Sequence, residues 1–501
     1  MAGLCIGQNI LSQRKLSLGL LLSGIFALSP VFAQAQPAST EKKDEPIGIQ
    51  LFGKLSPDTN KGEYTAIADA LELLKTGKVD EGRAKLAEAA KKNPGLPPAS
   101  MMLARILFAA NQVPAGRAEL EKCVLDSPKD PDAYLYLADI AVQQQEITGA
   151  DLLFREAEKV AADYKGNAER AKDFQIRVNA GSAAIHESRE QWKEALVKLQ
   201  AWAAADPKAA TCQQRLAGVM VHMGQFPEAA AALKIAAANE KTMINQDAVL
   251  GIMCQQASLR YAGENKDDRS KKKADFLKAE AKARMKAAFD AVNADKAAEN
   301  KEKNLRCLLA IADFDLVTDQ IAHAKEVSEA ALKLDSKSVE AKIQRGIVAR
   351  FQKDTDTAEK FLTEAVSLSP ANFMASNHLA IVLGELDRTK EPAKFNRSIE
   401  YATSNARQYP KSPEAAATLG WVLYRGGDRL NAGKALEAAA SSGSLSADSA
   451  YYAAVILADI GKTADAVRLL EAADKTTVPF FHRDEAKDLK AQLDAAAKKK
   501  S

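Results

Sequence analysis

The stretch that decides the fold is residues 413–428, PEAAATLGWVLYRGGD, an apolar helical run with the small residue Gly420 inside it. Thirty-four residues later, Ala454 holds the same place in the next apolar run. The same 34-residue step links small residues along most of the chain, namely Ala70, Ala104 and Ala138; Ala183, Ala217 and Gly251; Ala312, Gly346 and Ala380; and Gly420 and Ala454. A fixed step of this length predicts repeated units of a helix, a tight turn and a second helix.

Two further positions recur in step with these anchor residues. A small residue lies twelve positions after most anchors, as at Gly82 and Ala358, and a larger apolar residue follows four positions later, as at Leu86 and Leu362. Small residues allow two helices to cross closely, and the larger residue fills the groove between them. Several units end in a proline such as Pro207, which cannot continue a helix. The pattern therefore predicts an all-α chain of packed helix pairs.

Three insertions interrupt the 34-residue step. They lie around residues 163–173, around residues 387–395 and, for the largest, near residues 263–303. The largest insertion carries an apolar stripe with helical spacing, which predicts that it lengthens the second helix of the sixth unit. The stripe consists of Leu277, Ala281, Met285, Ala288 and Val292.

From about residue 61 to 480, the anchor residues, the larger apolar residues that fill the grooves and the turns together resemble the tetratricopeptide repeat (TPR) family. The resemblance implies an all-α, right-handed TPR superhelix (α-solenoid) of about eleven helix-turn-helix repeats, with protein partners bound on its concave surface. We expect units one to six in residues 62–303 and units seven to eleven in residues 304–480. Residues 481–501 are expected to form a capping helix and a basic tail.

Three blocks near the C-terminus resemble a narrower group, the exported bacterial TPR proteins, some of which are associated with exopolysaccharide secretion. The blocks begin at Asn377 (NHLA), at Pro413 (PEAAATLGWVLYRGGD) and at Phe480 (FFHRDEA). The resemblance implies that the chain could act in glycan or exopolysaccharide handling. This sequence lacks the lipid-anchor cysteine that some members of the group carry.

The N-terminus is typical of a secretory signal peptide. Arg14 and Lys15 precede an apolar run at residues 16–28, and small residues follow, so we expect a signal peptide over residues 1–35 that is cut after Ala33 or Ala35. An uncleaved membrane anchor is the alternative. Residues 36–61 lack periodicity and predict a flexible linker. We expect a periplasmic or secreted protein with no membrane span after signal cleavage.

Composition and charge exclude several other classes of protein. The 501 residues include 69 basic and 66 acidic side chains, a net charge of +3, and a nucleic-acid binder would need a basic face. The four cysteines beyond the signal are widely spaced singles, which predicts buried thiols instead of a zinc site or a disulfide framework: Cys123, Cys212, Cys254 and Cys307.

No pattern in the sequence predicts catalysis. The five histidines fall in different units without metal-binding spacing, and each is expected to be a surface or packing residue. No serine lies in a nucleophile elbow. We therefore expect a protein that is not an enzyme and that needs no cofactor or metal. The histidines are His186, His222, His323, His378 and His482.

One cluster stands out as a candidate binding site for partners or ligands. With each anchor taken as position 8 of its unit, positions 2, 5, 9 and 12 should face inward. Trp421 and Tyr424 occupy positions 9 and 12 of the tenth unit, Arg425 lies beside them, and Tyr451 is position 5 of the next unit. These side chains could hold a peptide or stack on a sugar ring. The alternative is that they pack against neighbouring helices or the segment at Phe480. The sequence thus predicts an exported interaction scaffold, with a glycan-handling protein as the alternative.

Overall fold

The computed structural model describes residues 61–93, 95–263, 267–442 and 445–498. Within these ranges the chain forms twenty-three α-helices, one 3-10 helix and no strand. The predicted fold class, an all-α solenoid of repeated helix pairs, is therefore confirmed. The expected signal peptide, almost all of the expected linker and the last residues of the expected basic tail lie outside the described residues.

The chain divides into two compact blocks, and the division falls between Ala281 and Lys282. In the N-terminal block the helices are α1 (Lys61–Lys75), α2 (Val79–Lys92), α3 (Ala99–Ala109), α4 (Val113–Asp126), α5 (Asp132–Gln143), α6 (Ile147–Asp163), α7 (Ala168–Ser188), α8 (Trp192–Ala205), α9 (Ala210–Met223), α10 (Phe226–Asn239), α11 (Gln246–Tyr261) and the first part of α12 (Asp268–Ala294).

The C-terminal block holds the remaining helices. After a 3-10 helix at Ala298–Asn300 they are α13 (Lys301–Val317), α14 (Ile321–Leu334), α15 (Val339–Phe351), α16 (Thr355–Leu368), α17 (Phe373–Gly384), α18 (Pro392–Gln408), α19 (Pro413–Arg425), α20 (Arg429–Ser442), α21 (Ala447–Asp459), α22 (Thr463–Asp474) and α23 (Arg483–Lys498).

The anchor residues lie where two helices of a unit cross. All eleven are buried in the first helix of their pair. At Gly346 a Cβ would come within 2.6 Å of Leu362 Cγ, and at Gly420 within 3.1 Å of Leu436 Cγ. Each leucine is the larger apolar residue sixteen positions after its anchor, so the small residue makes room for the side chain that fills the groove.

In nine of the eleven units, the turn inside the unit places one residue in the left-handed region of backbone space. This residue lies seven positions after its anchor, and in four units it is a glycine. Five other units use a side-chain-bearing residue there, which is conformationally costlier. The nine residues are Gly77, Asn111, Gln145, Glu190, Gly224, Asp319, Lys353, Gly427 and Gly461.

Side-chain caps start the first helices of units eight to eleven. In each case the residue eight positions before the anchor accepts a hydrogen bond from a backbone N–H in the first turn of the helix. Such a cap satisfies a donor that the helix itself cannot. The capping residues are Ser338, Asn372, Ser412 and Ser446.

The insertions lengthen helices or turns. The first is taken up by α6 and the 21-residue α7, which begins after the capping side chain of Asn167. The second widens the turn between α17 and α18. In the 27-residue α12 all five residues of the predicted apolar stripe are buried. None of the helices in the described ranges is both long and apolar enough to cross a lipid bilayer.

Candidate functional site

The residues between α22 and α23, 475–482, cross the first helices of units eight to eleven. We call this segment the strap. Its Phe481 ring lies 4.2 Å from the ring of Phe351 at the end of α15, between ring centroids. The Arg350 guanidinium stacks over Phe481 at 3.7 Å, and the His378 ring on α17 meets its edge at 5.9 Å. An aromatic ring of the strap is thus held by a cation and two further rings.

His482, the next residue of the strap, lies between two carboxylates. Its Nδ1 is 2.8 Å from Asp448 Oδ1 on α21, and its Nε2 is 3.0 Å from Glu385 Oε1 after α17. Burial alone would lower the pKa of His482, but the hydrogen bonds to Asp448 and Glu385 outweigh it and raise the pKa to about 9. Both ring nitrogens therefore donate, and the ring is an imidazolium at neutral pH.

Asp448 also binds the main chain of the strap. The backbone N–H groups of Phe481 and His482 donate to its two carboxylate oxygens, each at 3.2 Å. The Glu385 side chain is more exposed than that of Asp448. Burial would raise the pKa of Glu385, but the hydrogen bond from His482 and the charge of Arg350 lower it. The Glu385 carboxylate can therefore stay ionised opposite the imidazolium.

The structure brings the predicted site residues together around this segment. Trp421 on α19 is only 5% exposed, and its ring stacks on Tyr452 with centroids 4.6 Å apart. Tyr451 stacks on His482 at 4.9 Å, and Tyr424 lies 6.1 Å from Trp421. The predicted rings therefore form one cluster with two rings, Tyr452 and His482, that the sequence interpretation did not include.

The fourth predicted residue, Arg425, lies at the rim of the cluster. Its side chain is exposed, and its Nη2 donates to the Glu385 carbonyl oxygen at 3.1 Å. Its guanidinium lies 5.9 Å from the Trp421 ring. It links the turn after α17 to the aromatic cluster. The surface that contacts the strap, here called the strap-binding face, consists of Arg350, Phe351, His378, Glu385, Trp421, Asp448, Tyr451 and Tyr452. Tyr424 and Arg425 lie at its rim, against Trp421.

Two buried polar atoms within the described ranges, one on the strap-binding face and one on the residue before His378, lack a hydrogen-bond partner. Among the described residues the indole N–H of Trp421 has no hydrogen-bond partner, nor has the amide oxygen of Asn377, the residue before His378. Burial and the positive charge of Arg350 lower the pKa of His378 to about 3. The ring is therefore neutral, and its Nδ1 accepts a hydrogen bond from Arg350 at 2.7 Å. A buried donor without an acceptor costs free energy.

The N-terminal block contains a second dense cluster, built around one buried carboxylate. Asp132 at the start of α5 is 1% exposed and accepts from Arg105 at 2.7 Å and from Arg177 at 3.0 Å. Arg170 lies 3.6 Å away. Burial would raise the pKa of Asp132, but Arg105, Arg177 and Arg170 outweigh it and lower the pKa to about 2. Two of these arginines, Arg170 and Arg177, belong to α7. Arg170 lies in the first insertion, and Arg177 follows shortly after it.

Within the described ranges no three His, Cys, Asp or Glu side chains converge as metal ligands would. The four cysteines beyond the expected signal are buried, and none of them forms a disulfide within the described residues. Burial raises the pKa of Cys123 and of Cys212 to about 12, which keeps both as thiols.

Sequence reasoning missed the residues that hold the strap, although one signal was present. His482 was expected to be a surface or packing residue at the start of a capping helix. It sits instead before that helix, which begins at Arg483. The block FFHRDEA, directly after the last unit and without the period of the repeats, was the available sign of a special segment.

Comparison with known proteins addresses which protein family this chain resembles. A family model described as tetratricopeptide repeat matches residues 67–122 and 101–168. No curated protein sequence matches the chain.

Among solved structures, the crystal structure of yeast Tom70 is similar at 18% identity and a TM-score of 0.32, covering 80% of this chain and 88% of that one. The APC/C hetero-tetramer Cut9-Hcn1 is similar at 12% identity and a TM-score of 0.30, with 82% and 87% covered. Pseudomonas aeruginosa PilF is similar at 17% identity and a TM-score of 0.28, with 49% and 96% covered. Likenesses this distant bear on neither function nor partner. The tetratricopeptide repeat family, which the 34-residue step predicts, is supported by the family-model match over residues 67–168.

Proposed function

We propose that this protein is a non-catalytic, exported scaffold that binds segments of partner proteins on the strap-binding face. Tetratricopeptide repeat proteins are in general protein-interaction scaffolds. The observation that carries the proposal is that this face already holds a chain segment from outside the repeat helices. It does so through two backbone N–H groups on Asp448 and through the side chains of Phe481 and His482.

The predicted site residues take different roles in this proposal. Tyr424 and Tyr451 are partly exposed and Arg425 is exposed, so these three are the proposed contacts for a partner. Trp421 has a supporting role instead of a contact role, because its ring is covered by Tyr452. Conserving this support while varying the other three residues should change the partner without changing the fold.

The glycan-handling alternative is less well supported by the geometry. A sugar ring stacks on an exposed aromatic face. Trp421 is 5% exposed, and the Tyr451 ring is stacked on His482 at 4.9 Å. While the strap is in place, Trp421 is buried and one face of Tyr451 is covered by His482.

The test of the scaffold function is site-specific photo-crosslinking in the producing organism. A photoreactive phenylalanine analogue at Tyr424 should form covalent adducts with specific proteins, identified by mass spectrometry. The matched control places the same analogue at Leu152, which is 64% exposed on α6 of the N-terminal block. Identical adducts from both positions, or none from Tyr424, would contradict the proposal.

The proposed location is tested separately, because it depends on the N-terminal sequence pattern. Cells producing the full chain should contain it in the envelope or secreted fraction. Its mature N-terminus should begin after Ala33 or Ala35. A chain that keeps its original N-terminus in the cytoplasmic fraction would overturn the export proposal and leave the binding proposal standing.

A further inference from the structure

We infer that the strap-binding face recognises a partner segment in which an aromatic residue is directly followed by a cationic one, and that the strap occupies this site in the absence of the partner. This inference rests on the proposed function and names the chemistry of the partner. It is argued from two side-chain subsites, a main-chain contact and one donor that the strap leaves unpaired.

The first subsite fits an aromatic ring. Arg350 covers the face of Phe481 at 3.7 Å, and Phe351 and His378 contact the same ring at 4.2 and 5.9 Å between centroids. A cation over a ring face favours an aromatic side chain over an aliphatic one of similar size. Because His378 accepts from Arg350, the guanidinium is fixed in place over the ring.

The second subsite fits a positive charge. Glu385 and Asp448 approach His482 from opposite ends of its ring, at 3.0 and 2.8 Å, and Tyr451 lies parallel to the ring at 4.9 Å. Two carboxylates in an enclosed position would repel each other without a cation between them. A partner with a neutral residue here would leave Asp448 and Glu385 without the cation that bridges them.

Main-chain recognition joins the two subsites. Asp448 accepts from two successive backbone N–H groups of the strap, at Phe481 and His482. Any segment that presents two successive N–H groups in this way can make these bonds, whatever its side chains. The face therefore recognises the backbone through Asp448, while the side chains at two adjacent positions provide the specificity.

The strap is not an ideal occupant of the site. The indole N–H of Trp421, whose ring contacts His482, has no hydrogen-bond partner among the described residues. A partner segment that placed an acceptor at this N–H would gain a hydrogen bond that the strap does not make. The strap has the compensating advantage of being tethered, which corresponds to an effective concentration on the order of millimolar.

The experiment uses a fluorescent peptide with the sequence of residues 476–484, TTVPFFHRD, titrated against the full chain. With wild type the strap competes, so binding should be weak. The double variant Phe481→Ala, His482→Ala has a weakened strap and should bind the peptide at least about tenfold more tightly. A peptide with alanine at the two corresponding positions is the matched control and should not bind.

A variant of the site separates specific from adventitious binding. Adding Glu385→Gln and Asp448→Asn to the strap variant should reduce peptide affinity by about tenfold or more, since the cationic subsite is then neutral. If the strap variant has a cooperative melt and wild-type helix content but binds both peptides equally, the inference is overturned.

If the variants fail to fold, hydrogen exchange on the wild-type chain tests whether the peptide displaces the strap. Excess peptide should accelerate exchange at the amides of Phe481 and His482, which lose their bonds to Asp448, and leave α21 unchanged. Unchanged exchange at those two amides overturns the inference. If photo-crosslinks at Tyr424 still appear, the proposed scaffold function survives with a partner of other chemistry. If they are also absent, both proposals fall.

Discussion

His482 is a single residue on which several parts of the C-terminal block depend. Its ring joins the turn after α17 to the first turn of α21, and its charge compensates two enclosed carboxylates. Its side chain is 12% exposed, so solvent screens these interactions little. Neighbouring charges act on the same groups. The charges of Arg350 and Arg425 lower the pKa of Glu385. The charge of His482 in turn lowers the pKa of Glu485 at the start of α23.

The pKa of about 9 predicts how stability depends on pH. An unfolded histidine titrates near pH 6.5, so the stabilisation should be fully present below about pH 6.5 and be lost as pH rises through 9. We expect His482→Gln to lower the free energy of unfolding by about 3 kcal/mol at pH 6 and by little at pH 10. Urea unfolding of both proteins at several pH values measures this.

The control for this prediction is Val382→Ala on α17. Val382 is buried and carries no titratable group. Its substitution should shift the unfolding curve by the same amount at every pH. A pH-independent difference between wild type and His482→Gln would show that His482 acts through packing and not through charge.

In the N-terminal block, we predict that substituting Asp132 destabilises the protein more than substituting His482. Asp132→Asn removes the charge that three arginines share, and breaking a buried ion pair typically costs about 3–5 kcal/mol. Because the pKa of Asp132 is lowered to about 2, its contribution should persist above pH 4 and be lost only as pH falls through 2. Urea unfolding followed by hydrogen exchange in α5 and α7 measures the loss.

A matched surface pair is the control for Asp132. Glu88 lies 2.7 Å from Lys92 on the solvent side of α2, and its substitution by glutamine should leave the unfolding midpoint unchanged. Equal destabilisation by the two substitutions would mean that the buried arginines find other partners when Asp132 is neutral.

At the scale of a helix pair, glycine positions separate packing from helix propensity. Gly181 lies in the middle of α7, and an added Cβ would overlap the Phe154 ring of α6. Gly218 lies in the middle of α9, and an added Cβ would meet nothing within 4 Å. We expect Gly181→Ala to destabilise the block by about 1–3 kcal/mol. Gly218→Ala should stabilise it by up to about 1 kcal/mol, because alanine favours helix.

Thermal and urea unfolding of the two glycine variants test this prediction side by side. Both substitutions add one methyl group to a helix interior, so a difference in sign can come only from what the methyl group meets. If Gly181→Ala proves neutral, Phe154 has room to shift, and the close crossing of α6 and α7 is less rigid than the structure implies.

The helix pairs could be predicted because the interactions that define them are local in sequence. Gly346 and Leu362 are sixteen residues apart and meet within one unit, so their spacing repeats and is visible as a period. The turn positions at Asn111 and Lys353 were not visible, because only glycine signals a left-handed residue and these units use other side chains. A repeat predicts positions better than it predicts which residue type fills each of them.

The binding cluster was predicted only in part for a related reason. The unit register indicates the direction in which Trp421 points, and its position beside Tyr424 and Tyr451 was expected from that register alone. The register does not encode what covers Trp421, because Tyr452 and the strap belong to a later part of the chain. The contact between Lys353 and Glu485 joins residues 132 positions apart and follows no period.

At the scale of the whole C-terminal block, the strap adds contacts that a simple repeat array lacks. In such an array each unit contacts only its neighbours, and stability is close to a sum of unit and nearest-neighbour contributions. The strap contacts Arg350 in unit eight, Glu385 in unit nine, Trp421 in unit ten and Asp448 in unit eleven. It therefore couples four consecutive units that would otherwise be able to open separately.

This coupling predicts how the block opens under mild denaturant. In wild type, amides of α15 and α21 should exchange through one common opening as urea increases. Phe481→Ala removes the strap contact to unit eight while leaving His482 in place, so α15 should open at a lower urea concentration than α21. Native-state hydrogen exchange with mass spectrometry resolves the two helices. Leu430→Ala, at an exposed position of α20, is the control and should leave the openings coincident. Separate openings of α15 and α21 already in wild type would contradict the coupling, since the strap would then bind the units without making them cooperate.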